Sequence, residues 1–474
     1  MSDRAESKLR LEAQAEFSNR ARLRCISGDA EYPSTSPLYE CVNPHAPNEN
    51  LLDVVYDFPK ELDPTALKEV WRQRRMSNDP LDTSGVWRFR ELLSFVDDPS
   101  DIVTLGEGNT RLLTGRALNG YVGLDWLRVK HQGDNPTGSF KDPGMCVAIT
   151  EAKILKAKAV ACASTGNTSA SMAAYAKTAD MLPVVFIPEG QISYGKLSQA
   201  LDFGALTLQV EGDFDRAMQL VMEVAPEMGV YIVNSINPFR IEGQKTMVVE
   251  LLEQLNWEIP DRIVVPGGNL GHASSIWKGL RELKALGFID RYPKITVVQA
   301  QGANPLYKSV TSDNPDRLVT MHAKTLATAI KIGNPISFKK ALDGVKKTDG
   351  WVEEVTEQEI ADAKAIVGLD GIGCEPASAV TIAGLKKMVE HGTDRPFDRS
   401  EHVVAILTGN MLKDPDYPVL YHSRNLYEDF TTDTKIIPTG PQIQSTFGNA
   451  PIRVSADPVQ IREIIMRRIG NASR

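Results

Sequence analysis

The chain has 474 residues, of which 42% are hydrophobic and 24% charged, and this composition is typical of a soluble protein with two or three domains. Its formal charge of −8 argues against a nucleic acid or an anionic membrane as the main partner. The cysteines are few, odd in number and widely spaced, which favours a reducing compartment, so we expect the cytoplasm. The sequence predicts neither a membrane span nor a secretory signal, because no stretch is apolar enough for either.

The first part of the chain, residues 1–95, is predicted to be an extension followed by a small β module. Residues 1–20 are expected to be a polar helix or a disordered tail. Cys25 and Cys41 would supply half of a four-cysteine zinc ribbon, but only His45 lies nearby and no C-x-x-C pair is present. The sequence therefore predicts a module without a metal.

From about residue 120, apolar β-rich runs alternate with amphipathic helical stretches such as Asp213–Met228 and Gly243–Leu255. The runs are VGLDWLRVK, KAVACAS, LPVVFIP, LTLQV, VYIVNS, RIVVPGG, ITVVQAQ and HVVAILTG. Such alternation predicts parallel sheets covered by helices on both faces, and hence a doubly wound α/β fold. We expect this core to span 96–415. A C-terminal extension, 416–474, is expected to end in an amphipathic helix, Pro458–Ile469.

The string NPTGSFKD combines a turn with the expected start of a helix. Lys141 would then lie in the first turn, near the positive end of the helix dipole, where the pKa of an amine is lowered. An uncharged lysine is the form that Schiff-base chemistry requires. Alone, a first-turn lysine beside an aspartate would be read as an ordinary exposed residue. The eight-residue string is specific, however, and the segments described next support the same interpretation of Lys141.

Two glycine-containing turns follow predicted strands and are candidates for binding anions through backbone amides. The first is STGNTS, from Ser164 to Ser169, which alone is better explained by ordinary helix capping. The second is VPGGNLGH, whose glycines would also be required by a tight turn between a strand and a helix that binds no anion. We interpret His272, its last residue, as a helix-start residue and not as a catalyst.

Two further segments place polar side chains after predicted strands. Arg240, in NSINPFRIEGQK, carries a guanidinium that can bind a phosphate through two hydrogen bonds. Its alternative is a surface ion pair with Glu242 or Glu250. Thr408, in LTGN, offers a hydroxyl to a pyridine nitrogen, and a neutral partner leaves such a ring largely unprotonated. Its alternative is a capping role.

Together these segments resemble the fold-type II pyridoxal-phosphate (PLP) enzymes, which include tryptophan synthase β subunits, serine/threonine dehydratases, O-acetylserine sulfhydrylases and threonine synthases. The segments NPTGSFKD, CASTGNTSA, NSINPFRIEGQK, VPGGNLG, ATAIKIGNP and CEPASAVTIAGL occur in the order that threonine synthases show. The resemblance covers about 80–415, and the N-terminal module and C-terminal tail resemble the plant-type branch. It implies two doubly wound α/β subdomains around a PLP cleft.

The resemblance also implies a role for each matching residue. Lys141 corresponds to the catalytic Schiff-base lysine. The other cofactor-binding residues are Asn167 beside the phenolic oxygen, Thr408 at the pyridine nitrogen, and, around the cofactor phosphate, Gly267, Gly268, Asn269, Leu270 and Gly271. The residues implied to bind the substrate carboxylate are Ser164, Thr165 and Thr168. Those implied to bind the substrate phosphate are Asn234, Ser235, Arg240 and again Thr168. No metal site is implied, because the zinc-ribbon cysteines are missing.

The implied reaction converts O-phospho-L-homoserine and water to L-threonine and phosphate, by γ-elimination and β-replacement. Two alternatives within the fold are cysteate synthase, which uses phosphoserine, and a serine/threonine dehydratase, whose substrate offers Arg240 no phosphate. An alternative of another class is a non-catalytic binding homologue, against which the intact Lys141 argues. The resemblance also implies a homodimer, and it leaves open whether S-adenosylmethionine is an effector.

Overall fold

The structure is a computed structural model that describes residues 19–46, 48–60, 62–189, 194–212, 214–391, 397–429 and 439–472. The tail predicted over 1–20 lies almost entirely outside the described residues. In chain order, the strands are β1 Ala21–Cys25, β2 Glu31–Pro33, β3 Leu52–Tyr56, β4 Leu112–Leu113, β5 Leu127–His131, β6 Ala159–Ala163, β7 Leu182–Pro188, β8 Leu206–Val210, β9 Tyr231–Ile232, β10 Arg262–Pro266, β11 Lys294–Ala300, β12 Trp351–Val355, β13 Val403–Leu407, β14 Tyr427–Asp429 and β15 Thr439–Gln442.

The helices alternate with the strands through most of the chain. In chain order, they are α1 Pro64–Arg74, α2 Pro80–Thr83, α3 Arg116–Val122, α4 Lys141–Ile154, α5 Asn167–Thr178, α6 Tyr194–Asp202, α7 Phe214–Glu227, α8 Pro238–Gln254, α9 Gly271–Ala285, α10 Pro305–Val310, α11 Phe338–Lys347, α12 Glu357–Leu369, α13 Pro376–His391, α14 Asp416–His422 and α15 Pro458–Ala472. None of the helices in the described parts of the chain combines the length and the apolar character that crossing a bilayer needs.

The N-terminal module is an antiparallel sheet with the strand order β2-β1-β3. Leu23 and Val54, which pair across β1 and β3, are fully buried. Hydrogen bonds attach the module to the rest of the protein on two sides, to the smaller sheet at β9 and to helix α11. The Tyr39 hydroxyl accepts a 2.7 Å hydrogen bond from the amide of Ile232, and Lys340 donates one of 2.8 Å to the carbonyl of Leu52.

The larger of the two main sheets has the strand order β12-β11-β10-β13-β5-β4, and only the short edge strand β4 is antiparallel to its neighbour. Every residue of β10 and β13 is buried, as expected for parallel strands that helices cover on both faces. The smaller sheet, β8-β7-β6-β9, is entirely parallel. The prediction of two doubly wound α/β subdomains is therefore confirmed.

The predicted apolar runs all contain a strand, and the predicted helices differ from the observed ones mainly at their ends. Helix α7 matches its prediction, whereas α8 begins at Pro238, before the predicted Gly243, because Asn237 caps it there with a 2.9 Å bond to the amide of Phe239. Strand β12 was not predicted, since its sequence WVEEV contains two glutamates. The domain boundaries remain predictions.

Helices α4 and α8 cross where neither carries a side chain. A Cβ on Gly243 would lie 1.7 Å from the carbonyl oxygen of Pro143, and a Cβ on Gly144 would lie 2.6 Å from that of Arg240. Only glycine permits so close an approach of two backbones. The crossing holds the first turn of α8, which contains Arg240, against the first turn of α4, which begins with Lys141.

Candidate active site

The five segments that contain the predicted site residues each follow a strand. Lys141, Gly267 and Thr408 follow β5, β10 and β13, which are neighbours in the larger sheet. Ser164 and Asn234 follow β6 and β9, which are neighbours in the smaller sheet. Ligands of open α/β sheets bind at this edge. The crossing of α4 and α8 brings the segments of the two sheets together at one site.

Lys141 is the first residue of α4, as predicted. The turn before it is held by Asp142, whose carboxylate accepts hydrogen bonds from the Thr137 amide at 2.7 Å and the Thr137 hydroxyl at 2.6 Å. The Phe140 amide donates a 2.9 Å bond to the carbonyl of Thr408. The lysine is therefore fixed beside the loop that follows β13.

The amine of Lys141 lies in an environment that favours its neutral form. Its Nζ is 4.0 Å from the centroid of the Phe140 ring. Desolvation and the nearby Arg240 cation lower the pKa of Lys141 to about 7, although the Glu375 carboxylate acts in the opposite direction. A lysine with such a pKa can serve as a nucleophile and can both accept and return a proton near neutral pH.

This shift predicts how cofactor attachment depends on pH. Only the neutral amine of Lys141 is nucleophilic, and its fraction rises as the pH rises through a pKa of about 7. If Lys141 is the Schiff-base lysine that the sequence resemblance implies, the rate of PLP attachment to the cofactor-free protein should increase between about pH 6 and pH 8 and then level off, as measured by stopped-flow absorbance. A rate that kept rising towards about pH 10 would show that the lysine is not shifted.

Thr408 lies in a buried polar cluster with a carboxylate that no sequence motif assigned to the site. Its hydroxyl donates a 3.0 Å bond to Oε1 of Glu375 and is 3.0 Å from the hydroxyl of Ser378. Asn167 donates a 3.0 Å bond to the other oxygen of Glu375, and burial raises the pKa of that carboxyl. The available signal was the glutamate of CEPASA, which directly precedes the proline that begins the apolar helix α13.

The loop Gly267–Leu270 connects β10 to α9, which begins at Gly271 without a side-chain cap. A Cβ on Gly267 would lie 2.6 Å from the side chain of Val297, so the close packing requires glycine. Leu270 has a left-handed φ of 64°, and Asn269 accepts a 2.7 Å bond from the amide of Ile336. An uncapped helix start of this kind has backbone N–H groups that can bind an anion.

The STGNTS loop forms a second uncapped helix start. Helix α5 begins at Asn167, its N-cap residue is Gly166, and no side chain caps it. The simple capping interpretation is therefore wrong. The carboxamide of Asn234 makes two 3.1 Å hydrogen bonds to the backbone of Ala163, at the base of this loop. Asn234 thus positions the loop, and its amide group is already engaged.

Arg240 is a buried cation without an acidic partner among the described residues, with 2% of its surface exposed. Its guanidinium donates a 3.1 Å bond to the carbonyl of Val233, its Nε has no partner, and burial lowers its pKa to about 10. The alternative for Arg240, a surface ion pair with Glu242 or Glu250, is wrong. Glu242 pairs instead with Lys245 and Lys278, and Glu250 pairs with Lys130. Burying an unpaired charge is costly, so an anionic ligand would stabilise this site.

His272 is the second residue of α9, which confirms its interpretation as a helix-start residue. Its ring lies 4.5 Å from that of Phe140, and its Nε2 has no hydrogen-bond partner. Burial, reinforced by the nearby Lys141 cation, lowers its pKa to about 3. The ring is therefore neutral at physiological pH and adds no charge to the site.

Comparison with known proteins decides the family. The family model for pyridoxal-phosphate dependent enzymes matches residues 103–409. Threonine synthase of Methanocaldococcus jannaschii is 45% identical over 394 residues, which are 83% of this chain and 93% of that protein. The chain belongs to the threonine synthase family. Threonine synthase 2, chloroplastic, of Arabidopsis thaliana is 38% identical over 80% of this chain and 74% of that protein.

Solved structures support the fold of this threonine synthase family member. The structure of threonine synthase from Escherichia coli has a TM-score of 0.63 and 17% sequence identity and covers 94% of this chain and 100% of its own. Threonine deaminase isoform 2 of Solanum lycopersicum has a TM-score of 0.56 and 20% identity over 80% of this chain and 98% of its own. At these identities the likeness concerns the fold alone, which is that of fold-type II PLP enzymes.

The site of this family member fits its cofactor. Pyridoxal phosphate needs an amine, a phosphate site and polar partners for its ring. The structure provides the amine of Lys141, whose pKa is lowered, an uncapped helix start at Gly271, the polar side chains of Asn167 and Thr408, and an unpartnered buried nitrogen on His272. The enzyme is a pyridoxal-phosphate-dependent lyase.

Proposed function

We propose that this protein converts O-phospho-L-homoserine and water to L-threonine and phosphate. The observation that carries the proposal is the buried guanidinium of Arg240, which has no acidic partner in the described chain and lies near Lys141. A substrate phosphate carries about two negative charges near neutral pH and would supply the missing anion. Serine or threonine, the substrates of the dehydratase alternative, would leave the cation unpaired.

We assign the cofactor to residues that follow strands of the larger sheet, together with Asn167 at the start of α5. Lys141 would hold it through Nζ, the Gly267–Gly271 loop would bind its phosphate, and Asn167 and Thr408 would contact its ring. Bound pyridoxal phosphate supplies an electron sink for the charge that develops when a proton leaves the substrate. The contacts of Asn167 and Thr408 with Glu375 support their placement on one side of this site.

The remaining steps belong to the side chains of this chain. The uncapped start of α5, with Ser164, Thr165 and Thr168, would orient the substrate carboxylate. Lys141 would accept the proton from Cα and return protons as the reaction proceeds, which its pKa of about 7 permits. Arg240 would hold the phosphate until it leaves from Cγ. Asn234 would act through the loop it holds, and Ser235 is proposed to join the phosphate pocket.

Incubation of the PLP-loaded enzyme with O-phosphohomoserine tests the proposal. We expect phosphate and L-threonine in equal amounts. Parallel assays with O-phosphoserine plus sulfite and with L-threonine alone cover the alternatives. Formation of cysteate from O-phosphoserine and sulfite would favour cysteate synthase. Formation of 2-oxobutanoate from L-threonine would favour a dehydratase. Either reaction as the main activity would contradict the proposal.

The environment of Thr408 predicts a difference between two substitutions. Thr408→Asp places a second carboxylate within hydrogen-bond reach of the buried Glu375, and the repulsion together with a changed ring partner should lower kcat by roughly tenfold or more. Thr408→Ser keeps the hydroxyl and should lower kcat much less. Steady-state kinetics at saturating PLP measures both. Equal kcat values for the aspartate variant and the wild type would show that Thr408 is not the partner of the pyridine nitrogen.

We also propose that the protein is a homodimer. Helix α15 supports an interface, because Val459, Ile465 and Met466 are exposed on it by 60%, 53% and 61%. Light scattering of the purified protein tests this. A cytoplasmic location, which the five free cysteines favour, and activation by S-adenosylmethionine remain predictions. Cell fractionation tests the location, and adding S-adenosylmethionine to the phosphate-release assay tests the activation.

A further inference from the structure

The N-terminal module brings together four side chains that can bind a metal. Cys25, Asp29, Cys41 and His45 each offer one ligand atom, and these atoms all lie within 4.8 Å of one another. Nε2 of His45 is 3.4 Å from Sγ of Cys25 and 3.4 Å from Oδ2 of Asp29. Bonds of about 2.0–2.3 Å to a tetrahedral Zn²⁺ place neighbouring ligand atoms roughly 3.3–3.8 Å apart. Both separations from His45 are those of such a tetrahedron.

Two loops build this group of residues, which we call the four-ligand cluster. Cys25 ends β1, and Asp29 follows in the turn that the Cys25 amide closes with a 2.9 Å bond to the carbonyl of Ala30. Cys41 lies on the second loop, where its amide donates a 2.7 Å bond to the carbonyl of Asn50, and His45 follows four residues later. Both loops thus have the spacing ligand-x-x-x-ligand. Asp29 was not predicted as a ligand, because a zinc ribbon requires further cysteines in its place.

The cluster is arranged as a site with buried sulfurs. Cys25 is 1% exposed and Cys41 8%, while the side chain of His45 is 11% exposed. No disulfide joins the two cysteines. Thiolates with an imidazole favour zinc over the hard cations calcium and magnesium.

The ligands also have supporting contacts. Asn43 donates a 2.8 Å bond to Oδ2 of Asp29, and the hydroxyl of Tyr32 is 3.1 Å from Sγ of Cys41. The amide of Val42 donates a 3.1 Å bond to the same hydroxyl. Partners of this kind orient metal ligands and are expected around a built site.

We propose that the four-ligand cluster binds one Zn²⁺ with a structural role. Two thiolates, one carboxylate and one neutral imidazole fill a tetrahedral site and leave no position for a substrate, which is the mark of a structural zinc. The ion joins the loop after β1 to the loop before β3. Strand β3 in turn binds the catalytic subdomains, since the carbonyls of Leu52 and Val54 accept hydrogen bonds from Lys340 and Lys278.

The first experiment uses the full wild-type chain, produced in medium with zinc. Elemental analysis should find about one zinc per chain, and X-ray absorption should find two sulfur and two nitrogen or oxygen ligands. Replacement by Co²⁺ should give the visible bands of a tetrahedral site and a thiolate charge-transfer band. A reduced chain that holds no zinc and gives no cobalt spectrum overturns the proposal, and so does a native disulfide between Cys25 and Cys41.

Variants then test the ligand set. Cys41→Ser, His45→Gln and Asp29→Asn should each lower the zinc affinity at least about tenfold, measured by competition with a chromogenic chelator. Asp57→Asn is the matched control, because Asp57 lies in the same module but pairs with Arg22 outside the cluster. Wild-type affinity in the three ligand variants would overturn the assignment. If a variant does not fold, the wild-type cobalt and absorption spectra decide the question.

Removal of the ion should also affect stability. Chelation of the wild-type protein should lower its melting temperature, zinc should restore it, and the response should be absent from Cys41→Ser. A melting temperature that does not respond to chelation, in protein shown to have lost its zinc, would contradict the structural role. None of these measurements uses the catalysed reaction, so they stand independently of the proposed function.

Discussion

Lys141→Ala should abolish turnover of O-phosphohomoserine, lowering kcat by about four orders of magnitude or more. The substitution removes the amine that we assign both to cofactor attachment and to proton transfer, and no other lysine lies at the same helix start in the described chain. Phosphate release under single-turnover conditions measures the loss. The variant should also lose the absorbance of covalently attached PLP.

Labelling identifies the attachment site independently of activity. Borohydride reduction of the wild-type holoenzyme should fix PLP on the peptide that contains Lys141, as read by mass spectrometry. Lys413→Ala is a matched control, because burial also lowers the pKa of Lys413, but its Nζ binds Gln199. That control should keep the label on Lys141. A label on Lys413 or on another lysine would refute the assignment.

The fold was predictable because its strands are unusually apolar. Strands β10 and β13 are buried on both faces, so their sequences are continuous apolar runs that stand out from the helices. Strand β12 escaped prediction because it is an edge strand that carries charge. Its Glu353 pairs with Lys387 of α13 at 3.0 Å, a tertiary contact that no local pattern reveals.

The site was predictable where backbone shape determines the sequence. The turn before Lys141 and the Gly267–Gly271 loop need particular residues in a fixed order, and their positions were confirmed as strand-to-helix turns. Glu375 was missed because it acts through Asn167, which lies far away in the sequence, and Asp29 was missed because a zinc ribbon requires further cysteines in its place. The choice between a surface ion pair and a buried cation for Arg240 depended on the crossing of α4 and α8, which only the structure shows.

Arg240→Ala should lower kcat/KM for O-phosphohomoserine by about two to three orders of magnitude, because loss of a charged contact to the reacting phosphate costs roughly 2–4 kcal/mol of transition-state stabilisation. Arg240→Lys keeps the charge but cannot bind the phosphate through two parallel hydrogen bonds, so its kcat/KM should fall less than that of Arg240→Ala. Arg72→Ala is the control, since Arg72 is an exposed residue of α1 paired with Glu69. Steady-state kinetics at saturating PLP measures all three variants.

A second consequence of Arg240→Ala distinguishes a substrate site from a cofactor site. The Arg240 cation lowers the pKa of Lys141, so its removal should raise that pKa and move the pH midpoint of cofactor attachment upwards. PLP should nevertheless remain bound at saturation, because we assign its phosphate to the Gly267–Gly271 loop. Inorganic phosphate should inhibit the wild type competitively and the variant far less. Loss of PLP with an intact fold would mean that the two phosphate sites are exchanged, and unchanged kcat/KM would mean that the substrate phosphate binds elsewhere.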